Sequence, residues 1–250
     1  MMKRMLKIFA VTLSILSVAA AGISSPASAK TSAPKDFKVS FIPKPWEVNV
    51  ERSYIMLGKG WKFIKDKPAP FREKVNPGTE VSDPKEYVLR DGTVKPVGAL
   101  CDAPETAACD DSSWITVDVP SNWSDLGEAM DRYVGSAWYR KAFDYKPAAG
   151  GSRRVFLHFW AAYYKATVYL NGKRLGMHEG GYTPFAFDIT DSLVPGKNLL
   201  AVKLTNELDA ESIAVADWWN YGGLNREVFL EFTKPQVISD FFIKPVLSQD

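Results

Sequence analysis

The chain has 250 residues, with 31 lysine and arginine residues against 29 aspartate and glutamate residues. The first seven residues hold three of the bases and no acid, so the remainder carries 28 bases against 29 acids and is nearly neutral. A nucleic-acid or anionic-membrane partner would call for a basic patch, and two histidines are too few for a His-based metal site. We therefore expect no nucleic-acid partner, no metal and no cofactor.

The N-terminus has the pattern of a secretory signal peptide. Lys3, Arg4 and Lys7 precede an apolar run over residues 8–21, and small residues follow up to Ala27-Ser28-Ala29. The run is shorter than the roughly 20 residues that a membrane span needs, so an uncleaved anchor is the less favoured alternative. We expect residues 1–29 to be removed and the product to be secreted or periplasmic, without a membrane anchor. Residues 30–57 are then a linker and lead-in.

Residues 66–112 are rich in Pro, Gly, Asp and Lys and show little periodicity, which predicts long surface loops. Cys101 and Cys109 lie within them and are the only cysteines. In an oxidising compartment we expect a local disulfide between them, worth about 2–3 kcal/mol because the loop is short.

From Trp114 onward, short β-prone runs recur with turn residues between them, and no amphipathic helix of convincing length appears. One run, residues 155–160, is apolar on both faces, which predicts a strand that is buried on both faces. Asn171-Gly172 predicts a hairpin. The pattern predicts an all-β fold, a jelly-roll-type antiparallel β-sandwich over residues 58–234. The predicted strands are 138–143, 155–160, 166–170, 185–189, 200–204 and 228–232.

The last residues predict the beginning of a further unit. Residues 238–243 form a β-prone run after Lys234-Pro235, and a single strand cannot form a domain. The run either pairs back onto the sandwich or belongs to a domain that is cut short, and we favour truncation.

Six stretches occur in the order of one known family. They are Gly60-Trp61-Lys62-Phe63; Asp111-Ser112-Ser113-Trp114 with Val119-Pro120-Ser121-Asn122-Trp123; Gly135-Ser136-Ala137-Trp138-Tyr139-Arg140-Lys141; Val168-Tyr169-Leu170-Asn171-Gly172-Lys173; residues 176–185; and residues 217–228. Together they resemble the N-terminal sugar-binding domain of glycoside hydrolase family 2. The Asn-Tyr-Gly-Gly-Leu form of the last stretch looks most like the β-glucuronidase branch.

The resemblance implies a galactose-binding-like sandwich followed by an immunoglobulin-like domain and a TIM barrel with two catalytic glutamates. Residues 235–250 then look like the start of a truncated immunoglobulin-like domain. The resemblance thus assigns no catalytic residue to this chain, which we expect to be inactive without the missing domains.

The candidate substrate-binding residues are Asp217, Trp218, Trp219 and Asn220. Asp217 matches a family aspartate that touches the sugar, and a carboxylate can accept hydrogen bonds from neighbouring hydroxyls. Trp218 and Trp219 either stack on the sugar or belong to the core, and we favour the core. Asn220 and Arg226 could position Asp217, although for Arg226 we favour a structural ion pair.

The other polar residues near these stretches have structural interpretations. We expect Glu207, Asp209 and Glu211 to be solvated loop charges, Glu179 to brace its loop, and His178 to be structural. The pairs Gly180-Gly181 and Gly222-Gly223 are expected where tight loops need positive φ.

Three functions remain open at this point. The first is the sugar-binding domain of a secreted family 2 β-glycosidase that hydrolyses terminal β-O-glycosides. The second is a free-standing, non-catalytic carbohydrate-binding protein. The third is a structural or non-functional truncation product.

The leader gives the first testable prediction. Expressed with its leader in a secreting bacterium, the protein is expected to appear outside the cytoplasm with Lys30 as its first residue. N-terminal sequencing of the exported product checks this, and a product that begins at Met1 would contradict it.

Overall fold

The computed structural model describes residues 52–68, 83–131, 133–147, 153–207, 221–236 and 242–245, and nearly all regular structure in them is β. The strands are β1 (Ser53–Met56), β2 (Trp61–Pro68), β3 (Glu86–Val88), β4 (Val94–Pro96), β5 (Ile115–Val117), β6 (Ser121–Asn122), β7 (Gly135–Tyr145), β8 (Arg154–Phe159), β9 (Lys165–Leu170), β10 (Lys173–Glu179), β11 (Phe185–Asp188), β12 (Gly196–Thr205), β13 (Gly223–Leu224) and β14 (Val228–Thr233). The helical pieces are α1 (Glu128–Asp131) and the 3₁₀ turns Trp123–Leu126 and Thr190–Ser192. Over the described ranges, no helix is long and apolar enough to cross a bilayer.

The strands form two antiparallel sheets that pack face to face. One has the order β1-β14-β8-β11 and the other has the order β10-β9-β12-β7-β2-β5, with the small ribbons β13-β6 and β3-β4 beside them. The predicted jelly-roll-type β-sandwich is confirmed. Its first described strand, β1, pairs with β14. The sandwich therefore begins before residue 58, within the segment that we interpreted as a lead-in.

The core lies between the two sheets and follows the two-residue period of the strands. In β9, Ala166, Val168 and Leu170 are buried and alternate with partly exposed residues. In β12, Leu200 and Leu204 take up the same core face. Each fully buried Val or Leu side chain contributes about 1.5–3 kcal/mol, so this alternation fixes which face of each strand points inward.

The predicted hairpin at Asn171-Gly172 is confirmed. β9 ends at Leu170 and β10 begins at Lys173, and φ is 53° at Asn171 and 81° at Gly172. Both residues tolerate positive φ, which a tight two-residue turn requires. The Asn171 side chain also accepts a hydrogen bond from the backbone N–H of Leu199, which ties the turn to β12.

The prediction that the run 155–160 is buried on both faces was wrong. In β8, Val155, Leu157 and Phe159 are buried against the core, whereas Phe156 and His158 are only partly buried on the outer face. β8 lies inside the four-stranded sheet, and on its outer face His158 contacts Phe229 and Glu231 of the neighbouring strand β14.

A charged cluster occupies that outer face. Glu231 of β14 is 5% exposed. Its carboxylate accepts a hydrogen bond from Arg52 at 2.5 Å and lies 2.7 Å from His158 Nε2. The His158 ring stacks on Phe229, with centroids 4.8 Å apart. Burial alone would raise the pKa of Glu231, but the hydrogen bonds and charges of His158 and Arg52 outweigh it and lower the pKa below its usual range.

Residues 66–112 were predicted to be surface loops only, which is wrong for the part that the structure describes. β3 and β4 pair as a hairpin. Tyr87 of β3 is 0% exposed and lies in the main core, 5.8 Å between centroids from Phe63. Its hydroxyl accepts a hydrogen bond from the backbone N–H of Lys65.

Residues 97–114 cover the outer face of the six-stranded sheet, and we call this segment the outer cover. A second apolar cluster lies beneath it, made of Ile64, Cys109, Trp114, Trp138 and Ala201. Cys101 and Cys109 are bonded to each other, with Cα atoms 5.6 Å apart.

Arg140 of β7 holds the outer cover in place. Its side chain is 4% exposed and donates to the carbonyl oxygens of Cys109 and Thr106, each at 3.0 Å. Its guanidinium carbon lies 5.6 Å from the centre of the Trp114 ring. Two carbonyls and an aromatic face thus offset the cost of burying this charge.

We expect Arg140→Lys to lower the free energy of unfolding by about 1–3 kcal/mol, since a lysine cannot reproduce the planar fork that bonds both carbonyls. Urea denaturation measures the change. Arg154→Lys is the matched control, because Arg154 pairs with Asp188 on the surface with 41% of its side chain exposed. It should change stability by less than about 0.5 kcal/mol. Equal effects of both variants would contradict a role for Arg140 as an anchor.

The charged cluster of Glu231, Arg52 and His158 predicts that the free energy of unfolding depends on pH. A carboxyl with a depressed pKa in the fold stabilises the protein above its unfolded pKa, and this contribution is lost as the pH falls through the folded pKa. We expect Glu231→Gln to lower the free energy of unfolding at pH 7 by about 1–3 kcal/mol. The difference from the unsubstituted protein should shrink as the pH falls below 4.5, the ordinary pKa of a glutamate side chain. Denaturation at several pH values checks this, with the exposed Glu86→Gln as control. A pH-independent difference would contradict it.

Candidate functional site

The residues singled out for sugar binding, Asp217, Trp218, Trp219 and Asn220, lie outside the described residues, as do Asp209 and Glu211. The strand predicted at 238–243 falls mostly outside them as well. Of it, Phe242 and Ile243 are described, with no regular structure and 89% and 73% exposure. The structure describes both chain segments that border the candidate residues, which end at Glu207 and resume at Tyr221.

The segment that resumes at Tyr221 is held by backbone pairing. Gly223 pairs with Asn122 in the β13-β6 ribbon. Tyr163 donates its N–H to the Gly223 carbonyl at 2.9 Å, and Trp123 donates to the Gly222 carbonyl at 2.8 Å. The position at which the chain leaves the candidate residues is therefore fixed from two sides.

The segment that ends at Glu207 is held by Asn206, a residue that the sequence reasoning missed. Asn206 is 5% exposed. Its Oδ1 accepts from the Gly135 N–H and its Nδ2 donates to the Tyr133 carbonyl, each at 2.9 Å. A polar residue at the end of the apolar strand β12 was the available signal. Tyr164 fixes the same segment by donating to the Thr205 carbonyl at 2.9 Å.

A third loop meets these two. Gly180 donates its N–H to the Tyr164 carbonyl at 3.1 Å. Five segments therefore come together through these contacts, and we call them the loop cluster. They are residues 121–126, 160–164, 178–183, 205–207 and 221–225.

The glycine pairs of the loop cluster have two different roles. Gly180 and Gly223 have φ of 139° and 151°, as the sequence predicts. Gly181 and Gly222 do not have positive φ. A Cβ on Gly181 would overlap the Tyr163 ring, and a Cβ on Gly222 would lie 2.5 Å from the Trp123 ring. These two glycines permit close packing rather than an unusual backbone conformation.

Two charged residues of the loop cluster, Glu179 and Asp125, form ion pairs. Glu179 pairs with Lys165 at 3.0 Å. Asp125 pairs with Arg90 at 2.8 Å and accepts from the Asn122 N–H. Arg226 is exposed and forms no ion pair within the described ranges, so the ion pair that the sequence favours is not formed there.

His178 is held between two side chains. Its Nε2 lies 2.9 Å from Thr183 Oγ1, and its ring stacks on Phe185 with centroids 4.2 Å apart. Burial lowers the pKa of His178 below its usual range, which favours the neutral imidazole. No group of three or more potential metal ligands occurs in the part of the chain that the structure describes.

The exposed aromatic side chains of the loop cluster could bind a ligand ring that has polar edges and apolar faces. Tyr182 is 55% exposed and Tyr221 is 46% exposed. The centroids of the Tyr182 and Tyr164 rings each lie 5.5 Å from the centroid of the buried Tyr163 ring. Flat rings with hydroxyl groups can stack on the apolar face of a sugar and bond its edge. Chemically, these exposed rings are suited to binding a ligand of this kind.

Comparison with protein families finds a match to glycosyl hydrolases family 2, sugar binding domain, over residues 97–235. This range contains the outer cover and all segments of the loop cluster. It also spans the stretch 217–228, whose resemblance to this family the sequence had indicated.

Individual proteins agree with the family. A putative β-glucuronidase of Formosa agariphila is 31% identical over 142 residues, which cover 54% of this chain and 17% of the relative. A β-galactosidase of Thermoanaerobacter pseudethanolicus is 37% identical over 112 residues, which cover 42% of this chain and 15% of the relative. The crystal structure of a Bacteroides uniformis β-glucuronidase superposes with a TM-score of 0.55 and 28% identity, over 73% of this chain and 18% of that one. The chain thus spans less than a fifth of the length of each.

Proposed function

The chain belongs to glycosyl hydrolases family 2, and from this membership we propose that it is the sugar-binding domain of a secreted β-glycosidase that acts on terminal β-O-glycosides. In this proposal the domain shapes one wall of the substrate pocket, and the catalytic glutamates are supplied by a TIM barrel outside residues 1–250. The immunoglobulin-like domain and the barrel are its partners.

The observation that carries the proposal is the family match over residues 97–235, which includes both borders of the candidate residues. Relatives are named as β-glucuronidases and as β-galactosidases. Both names describe hydrolysis of a β-linked sugar, which supports this substrate class without selecting one sugar.

The loop cluster supports a pocket-shaping role. Backbone hydrogen bonds connect Tyr163, Gly180 and Gly222 to neighbouring segments, so its described loops form a pre-organised edge. In the sequence, Asp217 and Asn220 lie between Asn206 and Gly222, and both of these flanking residues are held by hydrogen bonds. A carboxylate in this place, Asp217, accepts hydrogen bonds from sugar hydroxyls, and pre-organised contacts lower the entropic cost of binding.

Catalysis by this chain alone is not supported by its described carboxylates. A retaining glycosidase needs two carboxyl groups about 5–5.5 Å apart, one as nucleophile and one as acid and base. Asp125 and Glu179 of the loop cluster are instead bound in ion pairs with Arg90 and Lys165.

The test is a panel of sugars on residues 30–250. We expect no hydrolysis of the nitrophenyl β-galactoside, β-glucuronide or β-mannoside. We expect weak binding of at least one corresponding methyl glycoside, with a Kd above about 1 µM, because a pocket shared between domains loses burial when one wall is absent. Asp217→Asn should weaken this binding further. Enzyme assays and ligand-observed NMR titrations measure both properties.

Steady hydrolysis that persists in the Asp217→Asn and Glu179→Gln variants would show that the chain holds its own carboxylate pair elsewhere. Absence of binding to all three methyl glycosides would contradict the sugar-binding role. Sub-micromolar binding without hydrolysis would favour a free-standing carbohydrate-binding protein.

A further inference from the structure

Two buried polar atoms of the loop cluster have no hydrogen-bond partner. Among the described residues, four buried side-chain atoms are unpaired: Asp131 Oδ1, Arg140 Nε, Tyr163 Oη and Asn225 Oδ1. Arg140 bonds through its other nitrogens, and its Nε lies 3.5 Å from an Asp111 carboxylate oxygen. The Tyr163 hydroxyl has no comparable polar contact among the described residues. A buried unpaired group is costly, so one in a native fold calls for an explanation.

The two atoms belong to neighbouring positions on one face of the backbone. Tyr163 and Gly223 lie directly opposite each other in an antiparallel bridge. Side chains at such positions are on the same face, with Cβ atoms roughly 5 Å apart. The Cβ position of Gly223 is 2.7 Å from Asn225 Oδ1. The Asn225 amide therefore lies on the face from which the Tyr163 side chain projects.

The two atoms also have complementary chemistry. A tyrosine hydroxyl can donate one hydrogen bond, and an amide oxygen can only accept. Burial, together with the neighbouring hydroxyls of Tyr182 and Tyr164, raises the pKa of Tyr163. The hydroxyl is therefore protonated and able to donate at any physiological pH. A sugar hydroxyl can serve both atoms, because it accepts and donates.

The Tyr182 ring offers access to these atoms. It packs against Tyr163 and is 55% exposed. Exposed side chains change rotamer within picoseconds to nanoseconds, so this part of the cover over Tyr163 opens readily. A pyranose stacked on Tyr182 would then lie beside the unpaired hydroxyl.

We propose that Tyr163 Oη and Asn225 Oδ1 bind a pyranose directly, the first by donating to a ring hydroxyl oxygen and the second by accepting from a hydroxyl. This rests on the proposed sugar-binding function and adds two contacts to those expected from residues 217–220. In this arrangement, the edge of the pyranose that carries its hydroxyl groups faces the bridge between Tyr163 and Gly223.

The deciding variant is Tyr163→Phe, which removes one oxygen and keeps the ring that Gly181 packs against. Because the hydroxyl is unpaired in the fold, the urea midpoint should stay unchanged or rise. Because the hydroxyl is paired in the complex, the Kd for methyl β-glucuronide or methyl β-galactoside should increase about three- to tenfold. Ligand-observed NMR on residues 30–250 measures the Kd. Asn225→Ala provides a second variant, in which the Kd should increase similarly. Because this change also removes the hydrogen bond from Asn225 Nδ2 to the Tyr221 carbonyl, its urea midpoint is measured alongside the Kd.

Tyr87→Phe is the matched control. The Tyr87 hydroxyl is buried in the core and accepts from the Lys65 N–H, so its loss should lower the urea midpoint and leave the Kd unchanged. A midpoint for Tyr163→Phe as low as that of Tyr87→Phe would show that the Tyr163 hydroxyl is engaged in the fold, which overturns the proposal. An unchanged Kd in both Tyr163→Phe and Asn225→Ala would show that water serves these atoms, which also overturns it.

These outcomes separate the two proposals. If the unsubstituted protein binds none of the methyl glycosides, the sugar-binding function fails, and the contacts proposed for Tyr163 and Asn225 fail with it. If it binds a sugar and both variants bind equally well, only the proposal for Tyr163 and Asn225 fails.

Discussion

Residues 137–140 of strand β7 are buried on both faces of the sheet, and the rest of the sandwich is arranged around this requirement. Ala137 and Tyr139 are 0% and 1% exposed in the core between the sheets, while Trp138 and Arg140 are 6% and 4% exposed on the opposite face. An antiparallel sheet commonly has one face exposed to solvent. A central strand whose side chains are buried on both faces therefore needs a further layer of residues over the second face. The outer cover supplies this layer, and Arg140 bonds it to the strand through two carbonyls.

The same strand is hydrogen-bonded to two segments of the loop cluster. Its first residue, Gly135, exchanges hydrogen bonds with Asn206, which fixes the chain where it enters the candidate site. Tyr139 accepts from Trp123 Nε1 at 3.0 Å, and the Trp123 backbone holds Gly222 where the chain leaves that site. The two described segments that border the candidate residues are therefore both bonded to β7 or to its contacts, so the positions of these borders depend on the packing of the core.

The sequence was sufficient where local chemistry decides the structure. The hairpin at Asn171-Gly172 follows from two residues that tolerate positive φ, and β12 follows from strict alternation of Leu200, Val202 and Leu204 with other residues. The two-sheet architecture follows from the number and spacing of such runs. The family was predictable because its motifs are short, ordered and dispersed along the whole sandwich.

The sequence was insufficient where distant residues decide burial. Glu231 alternates with apolar residues as a solvent-facing residue would, yet it is buried because Arg52, 179 positions earlier, and His158 surround it. Tyr87 lies in a stretch without periodicity, and its insertion into the core depends on a contact with Phe63. Gly181 is a packing glycine only because Tyr163 lies against it. No local pattern contains these partners.

Hydrogen-bond pairing separates the structural polar groups from those available to a ligand. Asn206 and Glu231 are as buried as the apolar core, and their side-chain oxygens are bonded within the fold. The Tyr163 ring fills its space against Gly181, and a phenylalanine would fill the same space without a desolvated hydroxyl. Packing thus explains the ring of Tyr163 and leaves its oxygen unexplained. Because that oxygen and the unpaired Asn225 Oδ1 belong to residues at or next to the bridge between Tyr163 and Gly223, a hydroxyl-bearing ligand accounts for both with a single assumption.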